Sequence, residues 1–263
     1  MSAASVAAHL RHAGCVFAED EARILIQAAQ ESSSDTADRD ATLTGLTARR
    51  VAGEPLEQVV GWVEFSGQRL AVAPSVFVPR QRTMLLAKQS VRAVREAGVG
   101  ARFLEAFCGV GPVAASVLRA FPDAEIHIGD RDESTLDCAR RNIGPRGEYH
   151  LLNCLDGLPQ HLAGSFDVIS AVPPYVPDAA AMFLPREARD HETSAALFGG
   201  ADGLDLVRRL IGESRQWLSP GGVVLIECGI EQQHTAVEFA ATAGFSASIV
   251  LGDDEQTTVL KLR

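Results

Sequence analysis

From Ala101 onward the chain repeats one unit, a short apolar run, a turn and an amphipathic stretch, and this alternation constrains the fold most. Arg102 to Ala106, Glu125 to Gly129, Glu148 to Leu152, Phe166 to Ala171 and Val223 to Cys228 read as strands. Pro112 to Ala120, Glu133 to Asn142, Leu204 to Trp217 and Gln232 to Ala243 read as helices, the first with proline at a tolerated early position. Ser219-Pro220-Gly221-Gly222 stops the third. Strands separated by helices pair in parallel, with the helices covering both faces of a doubly wound sheet. Two more strands finish the chain and are expected as an antiparallel pair at one edge. The fold class expected is therefore α/β, a doubly wound, Rossmann-like sheet of seven strands.

The first hundred residues have a different texture. Residues 1 to about 52 read as helical, punctuated by Ala8, Leu10 and Ile24-Leu25-Ile26. Ser32-Ser33-Ser34-Asp35 interrupts the pattern, and Asp35 or Thr36 is suited to cap the next helix. Gly53-Glu54-Pro55 ends this unit. Val59 to Phe65, the turn Ser66-Gly67 and Arg69 to Ala73 read as a β-hairpin. A helix from about Arg82 to Glu96 follows. The expected division is a small helical N-terminal domain (1–55), a β-hairpin and connecting helix (56–98), and the sheet domain (99–263).

Composition narrows the partners. A net charge of −10 argues against nucleic acid, which needs a basic footprint, and suits a cationic ligand. No apolar run approaches the roughly 18 residues that span a membrane, and the N-terminus lacks the basic start and apolar middle of a signal peptide. A cytoplasmic protein is expected. Cys15, Cys108, Cys138, Cys154 and Cys228 have no metal-ligand spacing and read as reduced, mostly buried thiols, so no metal is expected.

Two motifs carry chemistry. Leu104-Glu105-Ala106-Phe107-Cys108-Gly109-Val110-Gly111-Pro112 ends one strand and opens a helix. Gly109 and Gly111 permit a tight turn and close backbone approach to a ligand. Asp130 ends the next strand, where an acid accepts both hydroxyls of a ribose. The turn lacks the third glycine of pyrophosphate-binding loops. S-adenosylmethionine (SAM) has no pyrophosphate, and its cationic sulfonium favours acidic surroundings, with Glu105 at the strand tip suited to the ligand's ammonium or sulfonium end. The second motif is Phe166-Asp167-Val168-Ile169-Ser170-Ala171-Val172-Pro173-Pro174-Tyr175, an apolar run ending in a rigid corner.

With these, Gly53-Glu54-Pro55-Leu56 through Val78-Pro79-Arg80, Ala139-Arg140-Arg141-Asn142, and His191-Glu192 through Gly199-Gly200-Ala201-Asp202-Gly203-Leu204-Asp205 to Glu227 form four ordered blocks. Over about residues 40 to 245 they resemble the glutamine side-chain methyltransferases of the HemK/PrmC type, class I SAM-dependent enzymes. The resemblance implies a helical N-terminal domain that recognises substrate and a C-terminal domain that binds SAM. Asp130 would hold the ribose. Glu105, Gly109 and Gly111 would line the methionine and adenosine pocket, Arg80 and Thr83 would lie near its methionine end, and Asn153 would stand near the adenine. Val172, Pro173, Pro174 and Tyr175 would face the methyl group.

The chain departs from the family pattern at ligand-facing positions. Family members carry Asn-Pro-Pro-Tyr, and the Asn grips the amide hydrogens of the acceptor glutamine. Val172 has similar bulk and no acceptor. A buried amide that loses one partner costs about 1–3 kcal/mol, and losing a group aimed at developing charge costs roughly 10²–10³ in rate. Glu105 replaces an Asp, Phe107 a small residue, Asn153 an acid and Met84 a Glu. Tyr175 remains, able to stack on a planar substrate or donate a hydrogen bond. His191-Glu192 is either an acid/base pair or structural, and Asp202 and Asp205 suit helix capping. The expectation is a SAM-dependent methyltransferase with an altered acceptor, a small molecule ahead of protein glutamine. Ring closure by intramolecular displacement, and a non-catalytic subunit that works with a partner protein, stay open as alternatives.

Overall fold

The computed structural model describes residues 1–253 and 257–263. Four helices open the chain, α1 (Ala3–His12), α2 (Ala18–Ser32), α3 (Thr36–Val51) and the short α4 (Leu56–Val60). Ser2 caps α1, and Asp35 caps α3 by accepting from the backbone N–H of Ala37 and Asp38. Val6, Leu10, Leu25, Leu43 and Val59 form a small core of their own between these helices.

A hairpin of β1 (Trp62–Phe65) and β2 (Gln68–Ala71) follows, then α5 (Met84–Ala97). Its turn has Ser66 and Gly67 at positive φ, and the strands are shorter than expected at their far ends, because Val59 and Val60 belong to α4, which Gly61 closes, and β2 stops at Ala71. The hairpin does not stand apart. Val63, Phe65, Leu70 and Val72 share one continuous core with the sheet's helices. Asn142 hooks it in place: its Oδ1 accepts from Ala71 N at 2.7 Å, and its Nδ2 donates to the carbonyls of Ala71 and Val110 at 3.1 and 2.9 Å.

The remainder alternates as expected: β3 (Arg102–Ala106), α6 (Pro112–Ala120), β4 (Glu125–Asp130), α7 (Glu133–Ile143), β5 (Gly147–Leu151), β6 (Phe166–Ala171), α8 (Arg186–His191), α9 (Ser194–Leu197), α10 (Asp205–Ser214), β7 (Leu218–Gly229), α11 (Gln233–Thr242), β8 (Ala247–Leu251) and β9 (Thr257–Leu262). The strands form one seven-stranded sheet in the order β5-β4-β3-β6-β7-β9-β8. All pairs up to β7 are parallel, while β9 runs antiparallel to both β7 and β8. The last two strands are thus the antiparallel edge pair. Apolar residues on both sheet faces make two cores, one around Val113, Ile126, Ile128 and Leu136, the other around Ile169, Leu210, Ile211 and Ile226.

Two boundaries differ from expectation. The helix before Ser219-Pro220 ends at Ser214, and β7 begins at Leu218 instead of Val223. Phe166 pairs Leu218 but Val168 pairs Val223, so the Pro-Gly-Gly stretch is an excursion within the strand. The strand order reverses between β3 and β6, which opens a crevice at their carboxyl ends, where doubly wound sheets bind ligands.

Candidate active site

The glycine turn after β3 is built for close approach. Gly109 and Gly111 both have positive φ, and a side chain at Gly109 would meet nothing within 4 Å. Gly111 instead backs onto Ala139 and Ile143 of α7. Asp130 Oδ2 accepts from Gly109 N at 3.0 Å and Oδ1 from Asp132 N at 3.2 Å, so the acid at the end of β4 lies directly against the turn. Burial raises its pKa. An open backbone beside an oriented carboxylate fits the ribose of a nucleoside ligand. Phe107 also sits at positive φ (54°), a left-handed conformation that costs about 1–3 kcal/mol for a residue with a side chain.

Three expected ligand contacts are used otherwise. Glu105 is fully buried beneath the turn, and its two oxygens accept from Val113 N (3.2 Å) and Ala114 N (2.6 Å) at the start of α6. It satisfies helix N–H groups and does not reach outward for an ammonium or sulfonium. Burial pushes its carboxyl up to about 8 against those two N–H groups. Arg80 donates to both oxygens of buried Glu192 at 2.8 and 2.6 Å, while Val78 N donates to Glu192 at 3.4 Å. Arg80 and Glu192 are therefore partners for each other, and His191-Glu192 is not an acid/base pair. The Asn153 side chain points to the surface, where its Oδ1 accepts from Arg209 at 2.8 Å. Asp202 orders the turn before α10 by accepting from Leu204 N at 3.0 Å, whereas Asp205 makes no cap.

The corner after β6 is held from behind. Gly199 and Gly203 lie so close to the carbonyls of Pro174 and Tyr175 that any Cβ would collide with them. Gln232 Nε2 donates to the carbonyls of Tyr175 and Asp202, each at 2.8 Å, and its Oε1 accepts from Gly229 N at 3.0 Å. That amide thus ties the backbone of the corner to the loop before α10 and to the end of β7. Val172 is half-buried and packs its side chain against the core that the hairpin shares with α5, α6 and α7.

In front of the corner lies a cavity of about 470 Å³, lined by Arg82, Tyr175, Glu227, Gln232 and Thr257 among others. Glu227 projects from β7 and is 1% exposed. Tyr175 donates its hydroxyl to Glu227 Oε1 at 3.1 Å, and Arg82 Nε lies 3.5 Å from the same oxygen. The guanidinium of Arg82 also sits 5.7 Å from the Tyr175 ring centre. The Thr83 hydroxyl favours the Glu227 carboxylate, yet burial dominates and raises its pKa. Among the described residues, Glu227 Oε2 is buried and has no hydrogen-bond partner. Thr83, itself buried, is thus placed near this carboxylate. Sequence reasoning assigned Glu227 and Gln232 no role. The signal for Glu227 was an acid inside the apolar run Val223-Val224-Leu225-Ile226.

The chain is 37% identical over 193 residues to a release factor glutamine methyltransferase of Streptomyces coelicolor, covering 73% of this chain and 68% of that protein. It is 31% identical over 256 residues to one of Bradyrhizobium diazoefficiens, covering 91% and 84%. A ribosomal protein uL3 glutamine methyltransferase of Bordetella pertussis is 35% identical over 201 residues, covering 74% and 66%. Among solved structures, a methyltransferase from Pyrococcus furiosus superposes with a TM-score of 0.54 at 18% identity, over 83% of this chain and 98% of that one. No protein-family model matches the chain. Sequence likeness of this extent, on a sheet of this order, makes the chain a transferase-type enzyme and a member of the HemK/PrmC family of SAM-dependent glutamine methyltransferases.

Proposed function

We propose that this chain methylates an acceptor other than protein glutamine, a small molecule carrying an amine or carboxylate nucleophile. The observation that carries this is Val172, a half-buried aliphatic side chain packed against the core at the position of the family's amide-gripping Asn. A primary amine keeps its lone pair and needs no such grip. The cavity beside the corner, about 470 Å³, is the size of a small-molecule site.

In this proposal SAM, when bound, supplies an electrophilic methyl group on its sulfonium sulfur. Asp130, Gly109 and Gly111 hold its nucleoside end, and Pro173, Pro174 and Tyr175 shape the wall the acceptor meets. For an amine acceptor, Glu227 accepts a hydrogen bond from the nitrogen through Oε2, stabilises positive charge as it grows there and takes the proton it later sheds; a carboxylate acceptor would have no use for it. Tyr175 fixes the other carboxylate oxygen. Buried among apolar strand residues, the carboxylate acts through a low dielectric, where its charge counts for more than in water. Residues 1–55 serve as a recognition unit, 56–98 as connector and 99–263 as the SAM-binding domain.

One observation favours a second reading, in which a protein glutamine remains the acceptor. Met182 and Phe183, shortly after the corner, are 75% and 81% exposed, as a face for another protein would be. In that case Glu227 Oε2 grips the amide in place of the lost Asn. Incubation with methyl-labelled SAM, once with release-factor peptides and once with a metabolite extract, separates the two. Label in a small product supports the proposal. Label on a peptide glutamine refutes it in favour of the second reading.

A further inference from the structure

A second cluster lies at the other side of the sheet. β5 is its edge strand and runs parallel to β4, with His127 opposite Glu148 and Gly129 opposite His150. Residues 148 and 150 are two apart on one strand and so share a face. His127 joins them there, fully buried and edge-on to Phe166, while His150 is half-buried and Glu148 is exposed.

Three donor atoms converge. His127 Nδ1 is 3.0 Å from His150 Nε2 and 3.5 Å from Glu148 Oε2, and all three lie within 4.8 Å of one another. Tetrahedral zinc, with bonds of about 2.0–2.1 Å to nitrogen and oxygen, sets its ligand atoms about 3.3 Å apart. The outer partner is also present. His127 Nε2 is 3.3 Å from Glu125 Oε1, and Glu125 is itself paired with Arg102 at 2.8 Å. A metal-binding histidine almost always gives its second nitrogen to such a carboxylate or carbonyl, which orients the ring and fixes its tautomer.

We propose that His127 Nδ1, His150 Nε2 and Glu148 Oε2 bind one divalent transition-metal ion of the zinc class, which clips the edge strand β5 to β4. With the Nε2 proton of His127 directed to Glu125, His150 supplies the proton between the two rings. Metal binding moves that proton to His150 Nδ1 and puts the ion in its place, so no net proton is released. The fourth position faces the surface and takes water. The site stands apart from the corner, since β3 separates β4 from β6. No local motif reveals it, because only strand pairing brings His127 to Glu148 and His150.

The test uses the full chain stripped with a chelator, then titrated with zinc by calorimetry and with cobalt by visible absorption. One ion per chain is expected, with a tetrahedral cobalt spectrum free of thiolate charge transfer and slower amide exchange across 147–151. His150→Ala and Glu148→Gln, both at the accessible side, are each expected to weaken binding at least about tenfold. His127→Ala is avoided because the ring is in the core. Absence of binding overturns the proposal. So does binding that both variants leave unchanged, or a thiolate signature, which would assign the ion to cysteines.

Discussion

The Tyr175 hydroxyl donates to Glu227 Oε1 across 3.1 Å, tying the corner after β6 to the end of β7. This one contact joins two sequence blocks 52 residues apart, and among the described residues the second carboxylate oxygen, buried in a residue that lines the cavity, has no hydrogen-bond partner. If that oxygen receives the acceptor, Glu227→Gln replaces a charged acceptor with an amide. Methyl transfer to the acceptor found by labelling is expected to fall by roughly 10²–10³ in kcat, with SAM affinity unchanged. Tyr175→Phe is expected to cost less, since it removes only the group that orients Glu227. Equal activity of Glu227→Gln and wild type would remove Glu227 from the mechanism.

The pH profile follows from the same carboxylate. Burial raises the Glu227 pKa above its ordinary value of 4.5. The active, ionised form is therefore lost as pH falls through that raised value, so activity is expected to decline on acidification well before an exposed carboxyl titrates. The acid limb of the kcat profile should disappear in Glu227→Gln.

Glu105 makes a separate prediction about stability. Its folded-state pKa is about 8 against an ordinary 4.5. Between those values the native state binds a proton that the unfolded state has released. Its contribution to stability is complete below about pH 4.5 and is lost as pH rises towards 8. Denaturant titrations across that window should show stability falling with pH, and Glu105→Ala should flatten this slope while lowering stability at the acid end, where two N–H groups of α6 lose their acceptor.

Gly203→Ala tests the support behind the corner. Its Cβ would strike the Tyr175 carbonyl, and φ is already +77°. The variant is expected to lose roughly 2–4 kcal/mol of stability and most methyl transfer. An alanine accepted without loss of either would mean that the glycine block does not press on the corner.

Val172→Asn restores the family's acceptor at one position. Little methylation of release-factor peptides is expected to return, because Phe107 still stands in place of a small residue beside the glycine turn and Asn153 is still paired with Arg209. Strong peptide methylation by this single variant would mean that Val172 alone bars the glutamine acceptor, and that the other departures do not.

Much of the fold was legible because it rests on local periodicity. Arg102–Ala106, Pro112–Ala120 and Phe166–Ala171 are bounded by turn residues and fall where the sequence places them. Leu218 was missed as the start of β7 because proline and glycine at 220–222 signal a stop, and only pairing with Phe166 draws the segment back into the sheet. In the site, Gly109, Asp130 and the Pro-Pro-Tyr corner were readable as motifs. The destinations of Glu105 and Arg80 were not, since a charged side chain's partner is set by three-dimensional neighbours: two helix N–H groups for Glu105, and Glu192, more than a hundred residues away, for Arg80. Gln232 was invisible for the same reason, as its targets are carbonyls of two separate loops.

Calorimetric titration of the purified chain with SAM, run beside Asp130→Ala, tests the central claim most directly. Saturable one-to-one binding to the wild type, weakened at least about tenfold in an Asp130→Ala variant that keeps its thermal midpoint, is the predicted result. A wild-type chain that takes up no SAM would contradict methyl transfer at this crevice.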